Sequence, residues 1–370
     1  MAGTPVRPGD ANIAGTPLVN FLKVFAGEVL TAFKELNVME PIVSTRTISS
    51  GKVAQFINTA KADAVYHTAG VNIIEGTLTS NIATNERLIY VDNKLISAVL
   101  IDNLDEAMAH WDARGAFAQE LGRAISKRYD QLALNTAILA ARASSNLTAG
   151  AGADIAGGSS VTDANLGTQG QALINALFSA AQALDQNDVP KEDRYAVITP
   201  AMFYNLIRDP SVQLLYQPTD NAHIIMSSAM PLTSTAITAA TANSFNSQYP
   251  MLQQGLADWA SGTIRGAAVA GFTVLVSNHL PNGSNIASND AFFGNSAATM
   301  AGYNGNTYHG DFTNTRGVCF HKSALGVVKL RDLAVESEYK IEYQGNLLVA
   351  KLACGMGKLR PEAAVELKIA

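Results

Sequence analysis

A single long amphipathic pattern constrains the fold of this chain more than any other feature of the sequence. Between residues 103 and 143, apolar or small side chains recur at steps of four and three residues, the spacing of one helix face. A straight helix of that length spans roughly 60 Å, so it needs an extended surface to pack against. Phe117, Leu121 and Leu134 make the opposite face apolar too, which favours a helix lying across a sheet over a coiled coil. The repeating positions are Leu104, Met108, Trp111, Gly115, Ala118, Gly122, Ile125, Tyr129, Leu132, Thr136 and Leu139.

Two members of this pattern are glycines, Gly115 and Gly122. A glycine inside a helix costs about 1 kcal/mol relative to alanine. We therefore expect another backbone to approach the helix closely at these positions. The acidic residues Asp102, Asp105 and Glu106 suit the positive end of the helix dipole and indicate where the helix begins.

The composition fits a large, well-packed protein. With 48% hydrophobic side chains, 370 residues can bury the cores of two or three compact lobes. The net charge of −5 comes without a cluster of Lys and Arg, which argues against a protein that grips nucleic acid through its phosphates. Cys319 and Cys354 are too few for a disulfide framework or a zinc cluster, so we expect buried free thiols.

The sequence shows no membrane or secretion signal. No apolar run reaches the about 18 residues that a membrane span needs. Pro5, Pro8 and Asp10 interrupt the region in which a signal peptide has its apolar stretch. We expect an intracellular protein.

The N-terminal part predicts two elements that cannot bury themselves. Residues 1–17 indicate a flexible arm, and a helix beginning near Asn20 has an apolar face that must dock on the body of this chain or on a neighbour. Residues 53–56 and 88–100 predict two strands of a ribbon with a polar tip between them. An isolated two-stranded ribbon is marginal in water, so we expect it to lie on another subunit. The helix face consists of Leu22, Phe25, Val29, Phe33 and Leu36.

The remainder of the chain predicts an inserted lobe and returning strands. Residues 144–166 indicate a linker, and 210–262 and 281–315 indicate polar loops. Because strands occur at both ends of the chain, we expect the first and last segments to share one sheet with a second lobe inserted between them. Further predicted elements are a helix from 173 to 184, a strand at 195–199, a short helix from 200 to 206, a strand pair within 264–277, and strands at 318–329, 339–354 and 364–369.

No pattern of catalytic residues stands out. Ser49 to Lys52 ends like a phosphate-binding loop but lacks the upstream glycine, and the glycine-rich stretch 150–158 follows a helix instead of a strand. The six histidines share no ligand spacing, and the pair Glu106 and His110 indicates a solvated or interface hydrogen bond. We therefore predict no catalytic, cofactor-binding or metal-binding residue.

A stripe of acidic residues predicts a charged strand face. Glu336, Glu338 and Glu342 are interpreted as lining one face, with Lys340 on the other. Such a stripe is solvated or meets basic residues of a partner subunit. The candidate basic residues are Arg331, Lys351, Lys358 and Arg360.

Several motifs occur in a fixed order along almost the whole chain. This colinear set resembles the major capsid proteins of autographivirus-type, T7-like podophages, and its C-terminal motifs are the most specific. The motifs are FLKVF at 21–25, GEVLTAF at 27–33, ISSGK at 48–52, AQF at 54–56, DEAM at 105–108, GF at 271–272, VKLRDLA at 328–334 and LRPEAA at 359–364.

The resemblance implies the HK97 capsid fold, an α+β fold with four parts. These are an N-terminal arm at 1–48, an extended loop or E-loop at 49–95, a P-domain with the long spine helix at 96–165, and an A-domain at 166–325, followed by returning strands of the A- and P-domains at 326–370. The loops 210–262 and 281–315 depart from the family pattern.

The resemblance also implies a function without an active site. The expected protein self-assembles into hexamers and pentamers of an icosahedral phage head that encloses double-stranded DNA. Its implied partners are copies of itself, a scaffolding protein, a portal protein and the packaged DNA, contacted non-specifically, with no membrane and no cofactor. The expected location is the virion, after assembly in the cytoplasm of the host bacterium.

Two other interpretations compete with this one. An encapsulin-like compartment shell has the same fold, but the specific motifs and the arm helix argue against it. A cytosolic enzyme with an unrecognised site predicts a pocket with convergent, perturbed titratable groups, and the sequence names no such group.

Overall fold

A computed structural model describes residues 37–60, 64, 66–70, 72, 82, 84–103, 113–145, 156–208, 214–216, 224–226, 267–281, 283–294 and 305–370. The predicted arm, the arm helix, the pair Glu106 and His110, and most of the loop 210–262 lie outside these residues. The described part is a mixed α+β fold.

Three α-helices are described: α1 (Ala113–Ala141), α2 (Gly170–Gln186) and α3 (Pro200–Arg208). Helix α1 confirms the predicted long helix over this span. Ile125 and Tyr129 of the predicted face are buried, and so are Leu121 and Leu134 opposite them. Helix α1 contacts strands of two sheets, which confirms that it lies across sheets rather than in a coiled coil.

Within the described residues, the strands form two larger sheets and three two-stranded pairs. In chain order they are β1 (Ser44–Thr47), β2 (Val53–Thr59), β3 (Thr84–Tyr90), β4 (Leu95–Asp102), β5 (Ser159–Thr162), β6 (Arg194–Ile198), β7 (Leu214–Tyr216), β8 (Ile224–Met226), β9 (Ala267–Val269), β10 (Phe272–Val276), β11 (Asn285–Ile286), β12 (Gly310–Asp311), β13 (Thr315–His321), β14 (Leu325–Lys340), β15 (Gly345–Lys358) and β16 (Ala364–Lys368).

The four-stranded sheet has the order β1-β14-β15-β4. It joins early strands of the chain to late ones, which confirms the predicted shared sheet. Strand β1 runs parallel to β14, whereas β14, β15 and β4 pair antiparallel. The long β14–β15 hairpin extends from the pair Leu325–Lys358 to the pair Lys340–Gly345.

The six-stranded sheet has the order β5-β16-β13-β6-β10-β9. The last strand, β16, therefore returns to this sheet and not to the four-stranded one. Strand β5 lies within the predicted linker, where we expected no strand, and pairs parallel with β16. Its sequence, Ser-Ser-Val-Thr, alternates half-buried and exposed positions, and this weak strand pattern is completed by its neighbour.

Three predicted strands were wrong in their limits. The run 88–100 contains the end of β3 and most of β4, which belong to different sheets and are separated by residues 91–94. The run 339–354 contains the hairpin turn at Ile341–Tyr343, and Gln344 follows it with φ of 48°. The break in 318–329 falls at the 3₁₀ turn Lys322–Ala324, while Gly326 lies inside β14.

Other predicted elements are confirmed. Strand β6, helix α2, helix α3 and the pair β9–β10 occur where the sequence placed them. Ala270 and Gly271 form the turn between β9 and β10 with positive φ angles of 52° and 81°. The region 281–315, which was predicted to be a polar loop, contains the fully buried side chains of Tyr308 and Phe312 and the strand pair β11–β12.

Candidate interaction surfaces

The ribbon formed by β2 and β3 has one apolar face turned to the body and one turned to solvent. The inward side chains of Ala54 and Ile89 are buried against Val328 and Ala353. On the outward face, Ile57 is 70% exposed, and Val53 and Leu88 are also exposed. The same face carries Gln55 and Glu86, which hydrogen-bond to each other, and we call its exposed apolar members Val53, Ile57 and Leu88 the ribbon row.

Strand β4 continues this exposed apolar character on the four-stranded sheet. Ile96 is 55% exposed and Leu100 is also exposed, and both lie on the strand that forms one edge of the sheet. In the neighbouring strand β15, Leu347 pairs with Leu100. An edge strand with exposed apolar residues is a site for association with another chain.

The turn of the β14–β15 hairpin forms a third exposed apolar surface. Ile341 is 74% exposed and Tyr343 is 64% exposed. Together with Tyr339, Leu100 and Leu347 they line a shallow depression at the end of the sheet. Leu100 belongs both to the β4 edge and to this depression, so these two surfaces adjoin, whereas the ribbon row lies on β2 and β3.

The acidic stripe differs from its predicted arrangement. Lys340 lies on the same face as Glu338 and contacts it at 2.7 Å, because positions two apart on a strand share a face. Glu342 belongs to the hairpin turn and not to the strand. Glu336 pairs with Lys351 across the strands of the same chain, and this hydrogen bond holds the pKa of Glu336 below its ordinary value. The prediction that Lys340 points to the opposite face was wrong, and Glu336 finds its basic partner within the same chain.

A buried carboxylate anchors the chain where the described part begins. Asp130 on α1 is fully buried and accepts the backbone N–H groups of Val38 at 3.2 Å and Met39 at 3.1 Å. Its Oδ2 also lies 3.1 Å from Nδ1 of His279, which follows β10. One side chain of the helix thereby ties together three segments that are distant in sequence.

A second anchor fixes the end of α1 to the six-stranded sheet. Arg142 donates to both carboxylate oxygens of Glu366 at 2.7 and 2.6 Å, and Thr315 donates to the same carboxylate at 2.5 Å. The side chain of Glu366 is 1% exposed and that of Arg142 is 32% exposed. The hydrogen bond to Glu366 raises the pKa of Arg142, so the guanidinium keeps its positive charge in this contact.

The residues that the sequence analysis considered for phosphate binding, disulfide formation or metal binding are scattered through the fold. Residues 49–52 form an exposed turn between β1 and β2, with φ of 99° at Gly51, and lead into a strand instead of a helix. Cys319 and Cys354 are buried free thiols, as expected, and burial raises the pKa of Cys354 to about 12. Among the described residues, no group of three His, Cys, Asp or Glu side chains is arranged to hold a metal ion.

Sequence reasoning missed Asp130, Arg142 and Glu366. Asp130 had a detectable signal, since a carboxylate next to Tyr129 on a helix with two apolar faces must be buried and partnered. Arg142 and Glu366 are 224 residues apart, and no local pattern links them. None of the described helices is long and apolar enough to cross a membrane.

Comparison with known proteins identifies the family to which this chain belongs. Residues 55–220 and 216–368 match the family model of the Gp10A-like major capsid proteins. The major capsid protein of Enterobacteria phage T3 is 32% identical over 371 residues, covering 96% of this chain and 93% of the relative. The major capsid protein of Escherichia phage T7 is 32% identical over 362 residues, covering 95% and 92%.

Solved structures agree with the sequence comparison. The capsid structure of Cyanophage P-SCSP1u superposes with a TM-score of 0.64 at 33% identity and covers 100% of this chain and 99% of that one. The mature capsid of bacteriophage PhiM1 gives a TM-score of 0.60 over 90% of this chain and 87% of that one at 13% identity, which shows a shared fold. The chain therefore belongs to the Gp10A-like major capsid protein family, has the tailed-phage capsid fold, and is a shell-forming subunit of a phage head.

Proposed function

We propose that copies of this chain form both hexamers and pentamers, which close into an icosahedral head around double-stranded DNA. A scaffolding protein and a portal protein are the further partners in this proposal, and the subunit has no enzymatic activity. The observation that carries the proposal is that one chain exposes apolar surfaces in two places: the ribbon row, and the adjoining β4 edge and hairpin turn.

The ribbon row supports contact with a neighbouring copy. Burying apolar surface contributes about 25 cal/mol per Å², so leaving Ile57 in water forgoes stabilisation that a partner supplies. In the part of the chain that the structure describes, the two-stranded ribbon has no second layer over this face. A neighbour that covers the ribbon row stabilises both the interface and the ribbon.

The number of separate surfaces supports a closed shell over a simple dimer. A two-fold dimer uses one self-complementary patch, whereas ring formation needs different patches that meet head to tail. Surfaces on the ribbon, on the β4 edge and at the hairpin turn allow one copy to contact several neighbours. Many modest contacts of this kind add up to a stable assembly.

The charge distribution supports weak, non-specific contact with packaged DNA. The net charge is −5, and Lys329, Lys340 and Lys351 are each engaged with a carboxylate of the same chain. A strong grip on DNA requires unpaired clusters of Lys and Arg. A wall that does not bind DNA tightly lets the DNA be packed at high density.

The perturbed titratable groups support a structural role. Burial raises the pKa values of Tyr129, Tyr308 and Cys319, and all three side chains lie in the hydrophobic core. A catalytic group needs a perturbed pKa in an open cleft, where substrate can reach it. These three groups instead reflect close packing.

Assembly of purified protein tests this proposal. We expect the chain, expressed with its scaffolding protein, to form closed shells visible by negative-stain electron microscopy, and capsomers or irregular shells without it. The variant Ile57→Lys should form far fewer shells while keeping the circular dichroism spectrum of the wild type. The control Gln182→Lys changes an exposed position of α2, outside the three surfaces, and should assemble normally. A compact monomer under all conditions would contradict the proposal.

A further inference from the structure

The ribbon joins the body through a narrow base. On one side, residues 48–52 connect β1 to β2, and on the other, residues 91–94 connect β3 to β4. Val91 donates its N–H to the Lys52 carbonyl at 2.8 Å, which closes the two connections against each other. The direction of the ribbon therefore depends on what holds this base, together with the packing of Ala54 and Ile89 on the four-stranded sheet and the hydrogen bond from Asn58 to the Leu359 carbonyl.

Asn306 holds the last residue of β3 by its backbone. The side-chain Nδ2 donates to the Tyr90 carbonyl at 2.7 Å, and Oδ1 accepts the Tyr90 N–H at 3.3 Å. One amide group thus supplies the two hydrogen bonds that a neighbouring strand would provide. Nδ2 also donates to Oδ1 of Asp92 at 2.9 Å, and Asn306 is only 6% exposed.

Tyr308 connects the same base to the four-stranded sheet. Its hydroxyl donates to Oδ2 of Asp92 at 2.5 Å and accepts the Met356 N–H at 2.9 Å, and the side chain is fully buried. Asn306 therefore donates to Oδ1 of Asp92 and Tyr308 donates to Oδ2, so residues of one short segment bind both carboxylate oxygens. Hydrogen bonds to a carboxylate are stronger than bonds between neutral groups.

Close backbone packing adds to these bonds. Gly305 has φ of 124°, and a Cβ there would lie 2.8 Å from the ring of Tyr90. On the other side, a Cβ at Gly355 would overlap the carbonyl oxygen of Tyr90. Only glycine fits at both positions, so Tyr90 is held between residues 305–308 and strand β15.

The segment 305–308 belongs to a chain excursion with a second attachment. The pair β11–β12 closes this excursion at its neck. Within it, the ring of Phe292 lies 4.2 Å from the guanidinium carbon of Arg128 on α1, and Asp290 accepts the N–H groups of Phe292 and Phe293. The excursion thus contacts the long helix at one point and the ribbon base at another.

We propose that residues 305–308 are a latch that sets the angle of the ribbon to the four-stranded sheet. When the latch opens, the ribbon pivots about residues 91–94, and Ala54 and Ile89 shift over Val328 and Ala353 while the two sheets and α1 stay folded. The named latch bonds are polar, so water can replace them on opening, whereas the apolar core has no such substitute. The use of this pivot rests on the proposed function, because hexamers and pentamers present neighbours to the ribbon at different angles.

Hydrogen–deuterium exchange of the full-length chain tests the latch. In Tyr308→Phe, amides of β2, β3 and residues 91–94 should exchange about tenfold faster or more, since a bond to a charged group is lost. Exchange in α1 and the six-stranded sheet should not change. The control Tyr195→Phe removes a hydroxyl that lies 3.5 Å from Asp193, away from the ribbon, and should leave ribbon exchange unchanged. Unchanged ribbon exchange in Tyr308→Phe, or an equal rise in α1, would overturn the proposal.

A distance measurement provides an independent test that does not depend on the Tyr308 variant. Nitroxide labels at Thr59→Cys on the ribbon and Gln182→Cys on α2 report the angle, since both positions are exposed and the native thiols are buried. Asn306→Asp removes both amide donors and places a second carboxylate beside Asp92. We expect a narrow distance distribution in the parent and a distribution broader by several ångströms in Asn306→Asp. Identical distributions would refute the latch. Failure of the parent to form shells would refute the proposed function and leave the latch result standing.

Discussion

Strand β2 of the ribbon and strand β6 of the six-stranded sheet show how differently similar apolar strands are used in one chain. Strand β6 buries Ala196, Val197 and Ile198 completely and lies between its neighbouring strands β13 and β10. Strand β2 buries Ala54 alone and leaves Ile57 in solvent. Apolar content by itself therefore does not define the core. The ribbon keeps an apolar face for contacts outside the chain, while the sheet uses its apolar residues to fold the chain.

The largest expected effect separates folding from association at these two strands. Ile198→Ala should lower the free energy of unfolding by about 3 kcal/mol, because it removes a fully buried side chain and leaves a cavity. Ile57→Ala removes the same atoms from an exposed position and should change it by less than about 0.5 kcal/mol. Urea unfolding of the unassembled chain gives both values. Equal losses at the two positions would mean that the ribbon row is already covered within one chain.

The same contrast explains what the sequence could predict. Helix α1 was predictable because its periodicity is local and long. The sequence also predicted that the two-stranded ribbon cannot bury itself, but it did not single out Ile57 as an exposed position.

The predicted strand limits were wrong where contacts with residues distant in sequence help to determine them. The run 88–100 was interpreted as one strand although Asp92, Asn93 and Lys94 interrupt its apolar residues, and at this interruption Asn306 and Tyr308 bind Tyr90 and Asp92. These contacts span 216 residues of sequence, so no local pattern contains them. The face of Lys340 is a different case, since the two-residue period places it beside Glu338 from the sequence alone.

A smaller effect is expected from the anchors that hold α1 to the sheets. Arg142→Ala leaves the buried carboxylate of Glu366 with the Thr315 hydroxyl as its remaining side-chain donor, and should destabilise the chain by about 2 kcal/mol. The expected loss of stability is smaller than for a fully buried ion pair because 32% of the Arg142 side chain is exposed. Arg123→Ala is the matched control, since its pair with Glu120 lies on the exposed surface of the same helix and contributes less than about 0.5 kcal/mol. Thermal unfolding of both variants checks the difference, and equal shifts would contradict the anchoring role.

The smallest expected effect is a pH dependence at the start of β6. Arg194 donates to Oδ1 of Asp185 at 2.7 Å and holds the pKa of this carboxyl below its ordinary value. A lowered pKa in the folded state stabilises the fold above the ordinary pKa of about 4, and this contribution is lost as the pH falls through the folded value. The stability difference between wild type and Asp185→Asn should therefore shrink from about pH 6 to about pH 3. The effect is small because the Asp185 side chain is 44% exposed, and solvent screens its interaction with Arg194. The same comparison in Ile57→Ala should show an unchanged pH dependence, since the ribbon row carries no titratable group. A difference between wild type and Asp185→Asn that stays constant over this range would show that the buried end of β6 is held by the hydrogen bonds that the Arg194 side chain donates to the backbone carbonyls of Val189 and Pro190, and not by its ion pair.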